Sequence, residues 1–511
     1  MTYSKLLIHS PTTIAFSILL TACGGGGGGD ASSTTEPETE TPPVTTQTDP
    51  VDNYAWEKNT FLDETIYKGR CNTPRSGTSD IQGSELDEKF WLRSWNNNVY
   101  LWYKDIVDQD PNLLTSPSDY FNSSLVSTLT TSSGEKKDSM SIAVSTQELS
   151  NRIHSGVESG YGMKLISTTD TLPRKVFIAY IQPNSPASKA NLKRGAQILE
   201  IDGVDYLNAN SSIDLETFSK ALSPAGNGET HTFKVQGTTT STPREVSLIS
   251  ADVAISPVQN SHVITANNEK IGYLVFNNNI DNAVDPLIES FKTFKQENIN
   301  DLVLDLRYNT GGAAYVSTLV ASLISGEEKT ENKIFSSMVF NDKHPKNNPF
   351  TETTITPEYF YNEAKYNGQE AFPIPRLGLN RVYVLTGENS CSSSELIING
   401  LKGVGIEVIG IGATTCGQPY GAVPIDNCGT SYISTNFKNI NARGTGDYTA
   451  GFTPVCKVSD DVSKQLGDKL EARLAAALEY RTSGTCPSSQ SQIGTEVLLA
   501  TPTWQKALII Q

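Results

Sequence analysis

The sequence is short of three things, and each shortage removes a class of function. It has no run of 18 or more apolar residues, so nothing in it reads as a membrane-spanning helix. It is poor in positive charge: 40 Lys and Arg stand against 56 Asp and Glu, a formal net charge of −16. With a pI near 4.9, the chain lacks the basic footprint of a nucleic-acid binder, and no nucleic-acid partner is expected. Among 511 residues there are only 5 His and 7 Cys, without a Cys-x-x-Cys pair or Cys/His ligand spacing. Neither a metal nor a cofactor is expected. What is present suffices for folding, since hydrophobic residues make up 37% and aromatics 8%, too much for a disordered chain. At roughly 150 residues per domain, the length suggests about three domains.

The N-terminus reads as an export signal. Lys5 is followed by the short apolar stretch Thr12 to Leu20 and then by Leu20-Thr21-Ala22-Cys23. That layout predicts a cleaved signal over 1–22. The tetrad resembles a bacterial lipobox, which implies that Cys23 becomes the lipidated first residue and a membrane anchor. Gly24 rather than Asp after it is similar to outer-membrane sorting, so the expected location is the cell envelope, lipid-anchored at the outer membrane and facing the periplasm. Six glycines, Gly24 to Gly29, open a Thr- and Pro-rich stretch without apolar period, which is expected to be a flexible tether over 23–52. Removing Cys23 leaves six cysteines, an even number that reads as disulfides in an exported chain. Proximity in sequence pairs Cys416 with Cys428 and Cys456 with Cys486, leaving Cys71 and Cys391 open.

Three patterns follow along the chain. Over 53–150, Phe90, Trp91, Trp95, Tyr100, Trp102 and Tyr103 fall near helical spacing, as the aromatic core of a helical cap domain would. Over 156–251 short strands alternate with turns, beginning at Gly160-Tyr161-Gly162-Met163 and continuing through the apolar run Val176 to Ile181. Over 252–486 apolar strands at 271–276, 301–307, 382–386 and 407–411 alternate with helical stretches at 284–294, 313–324 and 395–401. That alternation predicts an α/β core with parallel pairing. Residues 327–375 read as a long insertion, and the tail 487–511 has no assigned role.

Two segments carry candidate chemistry. Asp305-Leu306-Arg307-Tyr308-Asn309-Thr310-Gly311-Gly312 ends one strand and opens a helix, a junction whose N–H groups can stabilise an oxyanion. Ser390-Cys391-Ser392-Ser393-Ser394-Glu395 follows another strand, and a serine at such a turn presents its hydroxyl. Each also has a plain reading: Gly-Gly turns are common packing features, and Ser is a favoured helix N-cap.

Taken in order, cap, Gly-Tyr-Gly-Met strand unit, Asp-Leu-Arg-x-Asn-x-Gly-Gly and Ser-x-Ser-x-Ser-Glu resemble the C-terminal-processing (tail-specific) serine protease family over roughly 55–486. The resemblance implies an α/β protease core, a mainly β PDZ domain over 156–251 and an N-terminal helical cap. It implies Ser392 as nucleophile and an oxyanion hole from the N–H groups of Gly311 and Ser393. Asp305, Arg307 and Glu395 match the family's supporting charged positions. Gly160, Tyr161, Gly162 and Met163 match the PDZ loop that holds a peptide's terminal carboxylate while the peptide adds as a strand. Substrates would be proteins or peptides with accessible C-termini. One position departs: Gln418 follows Gly417 where the family carries its general-base lysine. A neutral amine takes the serine's proton and an amide does not, and general-base catalysis supplies ~10²–10⁴ in rate. Two expectations therefore stand, a lipid-anchored serine endopeptidase forming an acyl-enzyme at Ser392, or a catalytically weak or inactive peptide-binding lipoprotein. None of the five histidines lies in a matching motif.

Overall fold

The computed structural model describes residues 55–487, apart from 114–115, 131–135, 170, 239–241 and 365–369, together with the strands Val497–Leu499 and Leu508–Ile510. The signal segment, Cys23 and the tether lie outside the described residues, as does most of 487–511.

The central sheet has the strand order Val258–Ala266, Glu269–Phe276, Asp301–Asp305, Arg381–Thr386, Glu407–Gly412, Cys456–Lys457. The first pairing is antiparallel and the other four are parallel. Asp301-Leu-Val-Leu-Asp305 is buried at every position, as expected of parallel strands covered on both faces. Alternation divides the side chains. Leu274, Phe276, Leu302, Leu304, Val382 and Val384 pack with helices Val284–Glu297, Ala314–Ile324 and Ser393–Gly403. Tyr273, Val275, Val303, Tyr383 and Leu385 face the opposite side, covered by helix Ala472–Ser483. The expected strand–helix alternation is thus a three-layer α/β core, and every crossover delivers a turn to the same strand ends.

A second, mainly β unit precedes it. Its antiparallel strands run in the order Arg244–Ile249, Thr230–Gln236, Gln197–Ile201, Val176–Ile181, Met163–Ser167. Helix Ser212–Leu222, N-capped by Ser211, contributes Phe218 and Ala221 to the unit's own core. Strand Val157–Gly160 pairs with Ala251–Ala254 and closes the unit beside the central sheet.

Nearer the N-terminus, helix Glu85–Val99 packs on helix Pro117–Ser124, with Trp91 and Trp95 stacked at 5.1 Å. The helical spacing of aromatics runs past the helix itself, which stops at Val99. Tyr100 turns to extended backbone (φ −65, ψ 132), and its hydroxyl donates to Asp138 at 2.7 Å. Asn96, Asn97 and Asn98 are weak helix formers just where the helix ends. Strand Ile142–Ser145 then joins Thr430–Ile433, so this segment is built into the core rather than set beside it.

The disulfides correct one expectation. Cys456 pairs with Cys486, but Cys416 pairs with Cys391 and Cys428 with Cys71. Cys428 sits in the tight turn between Ile425–Asn427 and Thr430–Ile433, facing Cys71 from 357 residues away. Cys416 is instead held next to Cys391, its N–H donating to the Ser390 carbonyl at 3.1 Å. Among the described residues no helix is long and apolar enough to cross a membrane.

Candidate active site

Two strand-to-helix turns meet at the sheet's C-terminal edge. In the first, Gly311 and Gly312 have φ of 112° and 134°, and a Cβ on Gly312 would stand 2.2 Å from the Asn279 carbonyl oxygen. Only glycine fits there. In the second, helix Ser393–Gly403 starts immediately after Ser392, whose backbone is at φ 58°, ψ −110°. Such a conformation in a residue bearing a Cβ costs about 1–3 kcal/mol.

The serines divide into two kinds. Ser390 Oγ donates to the Leu306 carbonyl at 2.8 Å, Ser393 Oγ to Gly312 at 2.7 Å and Ser394 Oγ to Asn309 at 2.8 Å. Together with the Cys391 N–H on the Asn309 carbonyl at 3.1 Å, they stitch the second turn to the first. Ser392 is different: it is completely buried, and its Oγ has no hydrogen-bond partner among the described residues. A buried orphan hydroxyl costs about 1–3 kcal/mol. Strain and an unsatisfied group on one residue are the marks of a functional position.

Glu395, one turn into the same helix, is fully buried. Its carboxylate accepts the N–H groups of Ser392 (3.0 Å), Gly417 (2.8 Å) and Gln418 (2.7 Å) and the Thr415 hydroxyl (2.5 Å). Burial pushes its carboxyl up to about 7, outweighing the opposing pull of those donors. The Cys391–Cys416 disulfide spans the same two segments. Glu395 therefore ties the Ser392 turn to the loop that leaves strand Glu407–Gly412.

That loop fixes the backbone of Gln418 but not a base. The Gln418 amide donates to Ser139 Oγ at 2.6 Å and makes no hydrogen bond to Ser392 Oγ. Lys402 lies ten residues along the helix, about 15 Å at 1.5 Å per residue, and its Nζ sits over the Phe452 ring at 4.6 Å. His154, His231, His262 and His344 are engaged with Asp281, Asp202, Asn260 and Asn98. The Gly311 N–H donates to the Asn309 side chain at 3.0 Å, while Ser393 occupies the first position of its helix, where backbone N–H groups have no intrahelical acceptor. The cluster Cys391, Glu395 and Cys416 has the proximity of a metal site, but both sulfurs are joined in a disulfide.

Asp305 and Arg307 meet each other, not Ser392. The fully buried Arg307 guanidinium binds both Asp305 oxygens at 2.9 Å, both Glu471 oxygens at 2.7 and 2.9 Å, and Asp460 at 2.8 Å. Tyr273 donates to Asp305 at 2.8 Å. Arg194, from the mainly β unit, reaches Asp460 at 2.6 Å and Tyr308 at 2.5 Å, and Tyr308 also donates to Asp460. Burial alone would raise the Asp460 carboxyl, yet the Arg194, Arg307 and Arg473 guanidinium groups hold it well below the usual carboxylate range. This cluster braces the strand end from which the glycine turn departs. Arg194, Ser139, Thr415, Asp460 and Glu471 are absent from the sequence reading of the site. Their partners lie far off in sequence, so none of them carries a local signal.

In the mainly β unit, Tyr161 is buried against Phe233 at 5.5 Å. It is flanked by Gly160 and Gly162 at φ 147° and 73°, and a Cβ on Gly162 would stand 2.2 Å from Ser185. The turn feeds the strand Met163–Ser167, and a cavity of about 590 Å³ is lined by Gly160 through Leu165 together with Leu222.

Known proteins share this layout. Residues 270–454 match Peptidase family S41, a span that includes Asp305, Arg307, Gly311, Ser392, Glu395 and Gln418. Residues 151–220 match the PDZ domain. A carboxyl-terminal-processing protease of Picosynechococcus sp. is 28% identical over 201 residues, covering 39% of this chain and 47% of that protein. The chain thus matches about half of that relative's length. A crystal structure assigned to an S41 protease from Bacteroides fragilis aligns with a TM-score of 0.56 over 81% of this chain and 100% of that one. At 22% identity that likeness is one of fold. Residues 270–454 thus match a family S41 peptidase domain and residues 151–220 a PDZ domain, the combination that the sequence resembles.

Proposed function

We propose that the chain is an exported, lipid-anchored serine endopeptidase of the bacterial envelope. It takes proteins or peptides by accessible C-termini through Gly160, Tyr161, Gly162 and Met163, and it cleaves through an acyl-enzyme on Ser392. The observation that carries this reading is the separation of the serines: three hydroxyls build the turn, and only Ser392 keeps a strained backbone with an unpartnered Oγ. Ser392 Oγ attacks the scissile carbonyl. The Ser393 N–H, joined by the Gly311 N–H once it leaves Asn309, receives the developing oxyanion. The serine's proton passes through solvent water to the leaving amine as the C–N bond breaks, and a second water then hydrolyses the acyl ester, adding hydroxide to the carbonyl and returning a proton to Ser392 Oγ. Glu395 holds the two segments in register as a positioning residue. Three disulfides suit an oxidising compartment and so support export, and the anchor is assigned to Cys23.

Among the described residues no amine is hydrogen-bonded to Ser392 Oγ, so turnover is expected to be slow. The direction of Gln418, toward Ser139, favours a second reading: a peptide-binding lipoprotein without turnover. A fluorophosphonate probe separates the two. Covalent labelling of the wild type, abolished together with proteolysis of an unfolded substrate in Ser392→Ala, is the expected result. Peptide binding with neither labelling nor cleavage establishes the second reading instead.

A further inference from the structure

Two strands from the chain's own C-terminal segment lie on the surfaces assigned above to substrate. Val497–Leu499 adds antiparallel to the edge strand Met163–Ser167, with Val497 opposite Ser167, Leu498 opposite Ile166 and Leu499 opposite Leu165. Leu508–Ile510 pairs in parallel with the glycine strand, Leu508 opposite Gly311, Ile509 opposite Gly312 and Ile510 opposite Ala313. The latter also runs along Tyr420–Gly421, two residues beyond Gln418. The nine residue-to-residue steps from Leu499 to Leu508 allow a reach of at most about 30 Å, enough to link separate surfaces. Strand addition uses main-chain hydrogen bonds, so it needs no particular side chain to compete with another extended peptide.

We propose that the strands Val497–Leu499 and Leu508–Ile510 are a built-in competitor, occupying the PDZ edge and the oxyanion strand until an incoming polypeptide displaces them. The proposal rests on the reading of those two surfaces as the substrate path. Direction gives it a selective role. From Val497 to Leu499 the segment runs toward the Gly160–Met163 loop, as a bound C-terminal peptide would, but at least twelve residues follow Leu499. It therefore brings no carboxylate to the loop at that point. A true C-terminus adds charge-assisted hydrogen bonds there, and an internal segment does not. Because a tethered competitor acts at an effective concentration on the order of mM, only ligands with a free terminal carboxylate dislodge it readily.

The test is peptide affinity in the Ser392→Ala background, where nothing is cut. The probe is a fluorescein-labelled ten-residue peptide with an apolar, free C-terminus, followed by anisotropy, beside its C-terminally amidated twin. Three chains are compared: the full chain, one stopped after Ala507 and one stopped after Pro487. The free-acid peptide should bind the shortest chain at least tenfold more tightly than the full chain, with an intermediate value after Ala507. The amidated peptide should bind measurably only when the segment is gone. Equal affinities in all three overturn the proposal. Should truncation impair folding, Leu498→Pro/Leu499→Pro in the full chain gives a second route, since one of two successive N–H groups must face the ladder. Tightened binding without fluorophosphonate labelling of the wild type sinks the catalytic reading alone. Labelling with unchanged affinities sinks only the competitor.

Discussion

Around Ser392 three serine hydroxyls, one disulfide and a carboxylate with four donors fix the turn, whereas at Gly417–Gln418 the contacts to that turn come from backbone N–H groups alone. The Gln418 N–H meets Glu395 as firmly as the Ser392 N–H does, but its side chain is committed to Ser139. The contrast shows that placing a catalytic position and equipping it are separate tasks. The main chain at 418 serves the architecture whatever side chain it bears. On the proposed reading, the nucleophile's half of the site is in place, and the proton acceptor's half is a frame without an amine.

The strongest attempt to break this contrast is Gln418→Lys. If only the amine is wanting, turnover should rise by ~10²–10⁴, read as kcat on an unfolded protein substrate, with peptide affinity unchanged. Next comes the bracing cluster. Arg307→Met leaves Asp305, Asp460 and Glu471 buried beside each other, and removing one partner of such a set costs about 3–5 kcal/mol, measurable in urea unfolding.

Glu395 gives a pH signature of comparable or smaller size. Its carboxyl stands at about 7 in the fold against an ordinary 4.5, so the folded state favours the protonated form. The resulting stabilisation is complete below pH 4.5 and is lost as pH rises through 7. Relative to wild type, Glu395→Gln should therefore gain on the order of 3 kcal/mol between pH 4.5 and 7. Flat, parallel pH profiles for the two proteins would remove Glu395 as the group that titrates. The smallest effect belongs to Ser139→Ala. Releasing an exposed amide contact should change stability by less than about 0.5 kcal/mol and the rate of fluorophosphonate labelling by less than about twofold, because freeing an amide creates no base.

The sequence made the core readable because doubly covered parallel strands are near-continuous apolar runs, and Asp301–Asp305 and Arg381–Thr386 are of that kind. The two turns were readable from their order along the chain, since a glycine pair or a run of serines before a helix is common by itself. Which serine stays free was settled only by acceptors on another segment, the carbonyls of Leu306, Asn309 and Gly312. The same holds for Arg307, whose partners Asp460 and Glu471 come from 153 and 164 residues away. Cys416 misled for the opposite reason: Cys428 is nearer in sequence, but the Glu395 tether brings Cys416 to Cys391. Contacts set by crossovers of this length leave no local pattern in composition or spacing.

The hydrogen bond from the Gln418 main chain to Glu395 has a consequence for how this chain and amine-bearing relatives pass into one another. Because the backbone at that point is anchored independently of its side chain, glutamine and lysine exchange there without refolding the loop. Their codons differ by one base at the first position, so a single C-to-A transversion separates the two states. On the proposed reading, one base change would place an amine at 418 with the backbone there already anchored.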